Sequence, residues 1–390
     1  MTLTIAIEKN FSTRLESLRG LAAICVAVGH SLIWLRFITE PAIWVKSVFD
    51  VNGIQASIAR ALIAVFSGAA AVDLFFVLSG YVLAQSISRR NIDVFALVEY
   101  SVRRLLRIIP AYWFSLVLAI ICIFVFSDGY VAKEAGTVWF NGWYREPVST
   151  SVVINNALLQ SPSLNPNSWT LLVEVLGSLI LPFLLLIGGR GGIATTLVML
   201  AIAIALSTIA PGFGWSWAYY FFMFATGVAT AKHGDSITSC LTPTMIKILI
   251  WFAIVCLLAG SAFFPLVHVL PQDVLFVIGS ACLVMLLGGN SIKGNIAILD
   301  NRFSQFVGRV SYSFYLLHFM VLYWTATAIL ELFSEHLLTA YPLAIMLTVA
   351  GLTVAASLPL SWASYKYVER PFVTLGRSLF KPRRKKAVTT

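Results

Sequence analysis

The chain has 390 residues, of which 59% are hydrophobic and 11% are charged. Soluble globular domains have roughly 25% charged residues, so this composition excludes a soluble enzyme and indicates an all-α integral membrane protein. The net charge of +10 does not belong to a soluble basic domain, which argues against a nucleic acid as partner.

Apolar runs of about 17–25 residues predict about ten transmembrane helices. They lie near residues 18–36, 67–87, 108–126, 169–187, 193–210, 216–231, 246–264, 272–288, 310–331 and 342–364. Because most connections are short, residues 12–372 are predicted to form one transmembrane domain, followed by a basic cytoplasmic tail at 373–390. The longest connection, residues 127–167, is predicted to form a lid or a surface that recognises an acceptor.

Lysine and arginine are distributed unequally between the two sides of these spans. With the N-terminus inside, 22 of them fall on the inner side and 5 on the outer side. By the positive-inside rule, both termini are predicted to be cytoplasmic. The tail segment KPRRKK also favours contact with anionic lipid headgroups.

The first span, in RLESLRGLAAICVAVGHSLIW, contains two basic residues, Arg19 and His30. Ionisable groups inside a membrane are costly and are usually functional. Eleven helical residues make three turns plus about 20°, so both side chains project from one face, about 16 Å apart along the axis. Arg19 is predicted near the cytoplasmic end and His30 in the outer half of the bilayer.

A second basic group precedes the third span, in EYSVRRLLRIIPAYW. Arg103, Arg104 and Arg107 are predicted to lie on a short amphipathic helix that ends at Pro110. Clustered guanidinium groups bind phosphates in bidentate fashion, which favours a phosphorylated ligand at the inner face. Anchoring of this loop to anionic lipid explains the spacing equally well.

Three further ionisable residues lie well inside spans, away from their ends: Asp73 in AAAVDLFFVLSGY, Glu174 in NSWTLLVEVLG and His318 in GRVSYSFYLLHF. If the helices are straight, Glu174 lies at the depth of His30. A histidine oriented by a carboxylate, here Glu174 or Asp73, is a suitable general base for a hydroxyl group. The alternative is that these residues only satisfy each other or nearby carbonyl groups within the packed core.

The cysteines indicate no further chemistry. Cys25, Cys122, Cys240, Cys256 and Cys282 lie mostly inside predicted spans and have no paired spacing. Neither a disulfide framework nor a zinc motif is expected, and no metal is predicted.

Six segments, in this order along the chain, resemble the membrane acyltransferase-3 family: LESLRGLAAICVAVGH, VDLFFVLSGYVL, RRLLRIIPAYW, SWTLLVEVLG, VSYSFYLLHF and YKYVERPF. Members are enzymes of the bacterial inner membrane that move acyl groups, commonly acetyl, from acyl-coenzyme A to sugars of surface polysaccharides and related glycosides. The resemblance therefore implies a multi-pass enzyme of that membrane, with an acyl-CoA donor, commonly acetyl-CoA, and a glycan or glycoside acceptor.

The resemblance also implies roles for individual residues. Arg19 and His30 correspond to the essential pair of the family, with His30 as the catalytic base. The family's donor-binding arginines correspond to Arg103, Arg104 and Arg107, and its motif glutamate corresponds to Glu174. Its late tyrosine–histidine motif corresponds to Tyr312, Tyr315 and His318. Ala71 replaces a usual family glycine, and VEVLGSLIL lacks the aromatic pair that often follows the glutamate.

Several interpretations stay open at this point. His30 acts either as a base on the acceptor hydroxyl or as a nucleophile that carries the acyl group. Since the chain has no hydrolase-like domain of the kind fused to some relatives, transfer is expected to be direct or to need a separate extracytoplasmic partner. Buried His, Asp and Glu residues also suit a proton-coupled transporter or flippase, although no internal duplication is visible. A non-enzymatic scaffold would need no polar stripe.

Overall fold

A computed structural model describes residues 2–88, 94–127, 132–185, 191–265, 268–289, 292 and 294–380, with the backbone alone for residues 2–12, 87 and 88. Within these ranges the regular elements are helices, and the β contact is an isolated bridge between Leu35 and Gly136. The last ten residues of the predicted tail, 381–390, lie outside the described residues.

The helices are α1 (Thr2–Ser31), α2 (Ile54–Val65), α3 (Gly68–Ser88), α4 (Val94–Phe126), α5 (Thr150–Ala157), α6 (Trp169–Leu184), α7 (Ile193–Ile209), α8 (Phe221–Ser239), α9 (Pro243–Phe263), α10 (Leu270–Gly288), α11 (Ala297–Asp300), α12 (Arg302–Leu332), α13 (Glu335–Ala340), α14 (Pro342–Ser364) and α15 (Arg370–Leu379). A π-helical turn, Tyr365–Glu369, joins α14 to α15.

Eight helical segments in the described part of the chain are long and apolar enough to cross a membrane. They account for eight of the predicted spans, and the other two, the first and the sixth, fall on the more polar helices α1 and α8. The prediction of an all-α membrane protein is confirmed. The count of ten and the cytoplasmic location of both termini stay predictions.

The first predicted span is too long at its C-terminal end, because α1 ends at Ser31 rather than near residue 36. Trp34 and Leu35 are apolar because they are buried by the following loop, not because they continue the helix. The amide of Thr137 donates to the carbonyl of Trp34 at 2.9 Å, and the amide of Arg36 donates to that of Ala135 at the same distance.

The prediction of a short helix ending at Pro110 is wrong, since α4 continues through this proline to Phe126. Proline removes one backbone hydrogen bond and opposes helix continuation. Here the residues on both sides are packed: Ile108 and Tyr112 are buried, and the Tyr312 hydroxyl donates to the Ile108 carbonyl at 2.7 Å. Tertiary contacts therefore hold the helix together across Pro110.

Helix α1 packs most extensively against α12. The two backbones touch at Gly20 and Gly308: a Cβ atom on Gly20 would lie 2.5 Å from the Gly308 nitrogen, and one on Gly308 2.5 Å from the Glu16 carbonyl oxygen. Small residues permit such close packing of membrane helices. The contact brings Arg19 directly against α12.

Helix α3 crosses α8 in a second close contact and packs also against α1, α6 and α10. A Cβ atom on Gly80 would collide with the Phe224 carbonyl oxygen, and one on Gly227 with the Val77 carbonyl oxygen. The main apolar core lies around α3 and includes Phe76, Val77, Met223 and Phe224. This packing makes α3 a central wall of the molecule.

Candidate active site

A cavity of about 510 Å³ lies between α1, α3, α4, α6 and α12. Most of its lining residues on α3 are apolar, and most of those on the other four helices are polar. The ionisable side chains that line it are Glu16, Arg19, Arg104, Arg107, Glu174, Tyr312 and Tyr315. Three arginines against two glutamates leave the lining with an excess of positive charge, which favours an anionic ligand.

The three arginines are held to different degrees. Arg19 donates through Nε to the Ser311 hydroxyl at 2.8 Å and through Nη2 to the Gly308 carbonyl at 3.3 Å. Arg104 forms an ion pair with Glu174 and donates from Nε to the Ser178 hydroxyl at 3.0 Å. Arg107 makes no hydrogen bond to the described residues. Its donors are therefore available to a ligand.

Arg103 does not share this position, although it precedes Arg104 directly. One residue along a helix turns the side chain by about 100°, and Arg103 faces α15 instead of the cavity. It forms an ion pair with Glu99 at 2.7 Å and lies 5.8 Å from the centre of the Phe380 ring. The structure thus brings Arg104 and Arg107, but not Arg103, into the cavity.

Two tyrosines of α12, three residues apart, line the cavity on one helical face. The Tyr312 hydroxyl bonds to α4, as described above. The Tyr315 hydroxyl lies 2.9 Å from the Thr170 hydroxyl of α6, and its ring packs edge-on against Phe75 of α3. Tyr315 therefore links three walls of the cavity.

His30 and His318 form a pair next to this end of the cavity. His30 Nδ1 lies 3.2 Å from His318 Nε2, and the rings are stacked with their centres 5.4 Å apart. His318 is fully buried and its ring also contacts that of Tyr315, with centres 5.8 Å apart. Tyr315, His318 and His30 thus form a continuous series of rings, although His30 is not among the residues that line the cavity.

The hydrogen bonds of this pair define its tautomers. His318 Nδ1 lies 3.3 Å from the Phe314 carbonyl oxygen, which only accepts, so Nδ1 carries the hydrogen. When both rings are neutral, His318 Nε2 accepts from His30 Nδ1. The lone pair of His30 then lies on Nε2, and this atom is the one that can accept a proton.

The segment between α4 and α5 covers His30 with aromatic rings. Trp139 lies over His30 with ring centres 5.3 Å apart and also contacts Trp143. The Thr137 hydroxyl donates to the Ile33 carbonyl at 2.8 Å, which fixes the segment to the end of α1. The part of the long connection that the structure describes is therefore packed over the histidine pair.

The predicted pairing of His30 with a carboxylate is wrong. Glu174 bonds to Arg104 and accepts from the Ser79 hydroxyl at 3.3 Å, because the arginine offers an opposite charge within the cavity. Asp73 is buried beside His268 and Asp273. His30 bonds instead to a second imidazole, His318.

Sequence reasoning missed four residues that the structure places around these groups. Thr170 hydrogen-bonds to Tyr315, and Ser311 accepts a hydrogen bond from Arg19. Glu369 is buried and accepts a hydrogen bond from Ser313 at 3.0 Å. Glu369 lies in YKYVERPF, one of the six segments that resemble the family, and this position could have identified it as a candidate. Asp273 is the second residue of a predicted apolar span, and an acidic residue at such a position could likewise have identified it.

A family model for an acyltransferase domain, that of the acyltransferase-3 family, matches residues 13–364. The chain belongs to this family. No curated protein and no solved structure gave a match. Membership in the acyltransferase-3 family supports a multi-pass membrane acyltransferase, and the matched residues include every residue that lines the cavity. The family assignment and the cavity are therefore independent observations on the same part of the chain.

Proposed function

We propose that this acyltransferase moves an acyl group, acetyl in the simplest case, from acyl-coenzyme A to a sugar hydroxyl of a surface polysaccharide or glycoside. The observation that carries the proposal is the cavity of about 510 Å³ with three arginines in its lining. Acyl-coenzyme A has phosphates at one end and a neutral thioester at the other, and the cavity lining offers both arginines and apolar residues.

The arginines bind the phosphates of the donor in this proposal. Arg107 has donors that no described residue uses, and Arg19 and Arg104 retain further N–H groups beside their protein partners. Bidentate guanidinium–phosphate bonds are strong and directional. Glu174 holds Arg104 in place and does not react. The pantetheine arm then extends along α3 toward Tyr315.

His30 is the general base. Its Nε2 accepts the proton of the acceptor hydroxyl while the hydroxyl oxygen attacks the thioester carbonyl. The carbon–oxygen bond forms, the carbon–sulfur bond breaks, and His30 returns the proton to the sulfur so that coenzyme A leaves as a thiol. His318 positions His30 through the Nδ1–Nε2 bond. Rotation of Tyr315 away from Thr170 extends the cavity to the histidine pair.

The excess of basic residues on the predicted inner side supports entry of the donor from the cytoplasm. The proposal places the enzyme in the bacterial inner membrane because of its family. The acceptor reaches His30 from the outer side, beneath Trp139. A separate extracytoplasmic transferase that passes the acyl group onward is compatible with the same site.

Radiolabelled acetyl-coenzyme A, incubated with the purified protein in detergent and a glycan acceptor, tests the proposal. Label should move to the acceptor, and unlabelled coenzyme A should compete whereas pantetheine, which lacks the phosphates, should compete at least about 10-fold more weakly. A transporter or scaffold would leave the thioester intact, and equal competition by pantetheine would contradict the arginine contacts. Label bound covalently to the protein in the absence of acceptor would indicate an acyl-histidine intermediate.

A further inference from the structure

A second polar cluster lies outside the cavity. It consists of Asp73 on α3, Asp273 on α10 and His268, which precedes α10. One oxygen or nitrogen of each side chain lies within 4.8 Å of those of the other two. Both aspartates have no exposed surface. Packing of α3 against α10 brings together residues that are 200 positions apart.

The two aspartates differ in their hydrogen bonds. Asp273 accepts from the Tyr219 hydroxyl at 2.8 Å, and its other oxygen lies 3.3 Å from His268 Nδ1. Neither oxygen of Asp73 has a hydrogen-bond partner among the residues that the structure describes. Buried polar atoms without a partner are rare in native proteins, so this carboxylate points to a ligand.

Two adjacent carboxylates without solvent repel each other, and an unpaired buried charge costs several kcal/mol. A single proton would neutralise one of them and leave the other as an anion. A divalent cation neutralises both. The imidazole nitrogen adds a third donor, and three protein ligands with an open fourth position are a common zinc arrangement. A nitrogen ligand also favours a transition metal over magnesium.

We propose that Asp73, His268 and Asp273 bind one divalent transition-metal ion, with zinc as the best match to this donor set. The surrounding residues are suited to orient the ligands. Tyr219 holds one Asp273 oxygen, and Tyr220 packs edge-on against the His268 ring with centres 5.1 Å apart.

The ion would connect α3 to α10 rather than take part in the reaction. Asp73 follows Val72 directly, and Val72 and Phe76 line the cavity on α3. A metal bound to Asp73 therefore fixes the position of this cavity wall. The site goes beyond the proposed acyl transfer, and its presence does not depend on that proposal.

Metal content and thermal stability of the full chain in detergent test the site without an activity assay. After treatment with a chelator and dialysis, the protein should bind about one zinc ion per chain. Zinc at about 100-fold above its Kd should raise the Tm by about 5 °C. Asp73→Asn, which keeps the side-chain volume, should lose both the bound ion and the Tm rise. The exposed residues Asp235 and His336 supply controls, and Asp235→Asn and His336→Ala should behave like the unsubstituted protein.

Two results would overturn the metal site. One is a chain that holds far less than one zinc ion and whose Tm does not respond to zinc, which would leave the two aspartates sharing a proton. The second result comes from an experiment that does not need the Asp73→Asn variant to fold. Cobalt(II), added to the unsubstituted protein, should give a visible absorption band that zinc removes. The absence of that band would contradict coordination by these residues.

Discussion

Arg19 and His30 lie at the two ends of one face of α1, and their surroundings differ. At the Arg19 end, guanidinium groups face a cavity and are only partly matched by carboxylates. At the His30 end, the partner is a second imidazole, and aromatic rings cover the pair. The charged end is suited to hold an anion, and the other end presents a lone pair that can accept a proton. In the proposed reaction, donor binding and chemistry are therefore separated along one helix, and substitutions at the two ends should have different kinetic effects.

His30→Ala should have the largest effect on transfer. Loss of a general base lowers kcat by about 10²–10⁴-fold, whereas the arginine end is unchanged. The Kd for labelled acetyl-coenzyme A should therefore stay within about 2-fold of the unsubstituted value. His336→Ala, on the exposed helix α13, is the matched control. Retained transfer in His30→Ala would exclude both the base and the nucleophile role.

Arg107→Ala should change binding at the opposite end. Removing charge-assisted bonds to phosphate should raise the KM for acetyl-coenzyme A by about 10- to 100-fold, with a much smaller change in kcat. Arg103→Ala is a control on the same helix, because Arg103 pairs with Glu99 outside the cavity. Equal effects of the two substitutions on KM would contradict a specific role of Arg107 in the cavity. They would indicate that both arginines act only through nonspecific electrostatic attraction to lipid or donor.

His318 should affect the reaction through His30. His318→Leu removes the acceptor for His30 Nδ1 and should lower kcat by about 10- to 100-fold, with KM unchanged. His318→Gln retains an amide oxygen near that position and should restore part of the activity. If both variants lose activity equally, or if KM rises with the fall in kcat, His318 supports packing rather than the orientation of His30.

Much of this arrangement follows from local sequence patterns. Apolar runs predict an all-α membrane protein, and the spacing of Arg19 and His30 places both on one face of a helix. Which of Arg103 and Arg104 faces the cavity could not be predicted, because it depends on the packing of α15 against α4. The passage of α4 through Pro110 likewise depends on tertiary contacts that no local pattern reveals.

The partners of the buried ionisable groups were the least predictable feature. His30 and His318 are 288 positions apart, and no local pattern indicates that they are partners. Depth estimates from straight helices favoured Glu174 as the partner of His30, since they contain no information on which helices are neighbours. Arg104 is the partner of Glu174 because α4 and α6 are in contact.

The smallest expected effect concerns the frame that supports the arginine end. Arg14 forms an ion pair with Asp300 at 2.8 Å, and its hydrogen bond holds the pKa of Asp300 below the ordinary value. A carboxyl group with a lowered pKa in the folded state stabilises the fold at neutral pH, and this contribution disappears as the pH falls through the folded-state pKa. Asp300→Asn should lower the free energy of unfolding by about 1–2 kcal/mol at pH 7.

The effect on Tm should therefore become smaller below about pH 4. Thermal unfolding of Asp300→Asn and of the exposed control Glu335→Gln, each at pH 7 and below pH 4, measures this difference. A destabilisation that is the same at both pH values would show that Asp300 acts through packing and not through its charge. Because Arg14 lies five residues before Arg19 on α1, KM for the donor should change by less than about 3-fold, far less than in Arg107→Ala.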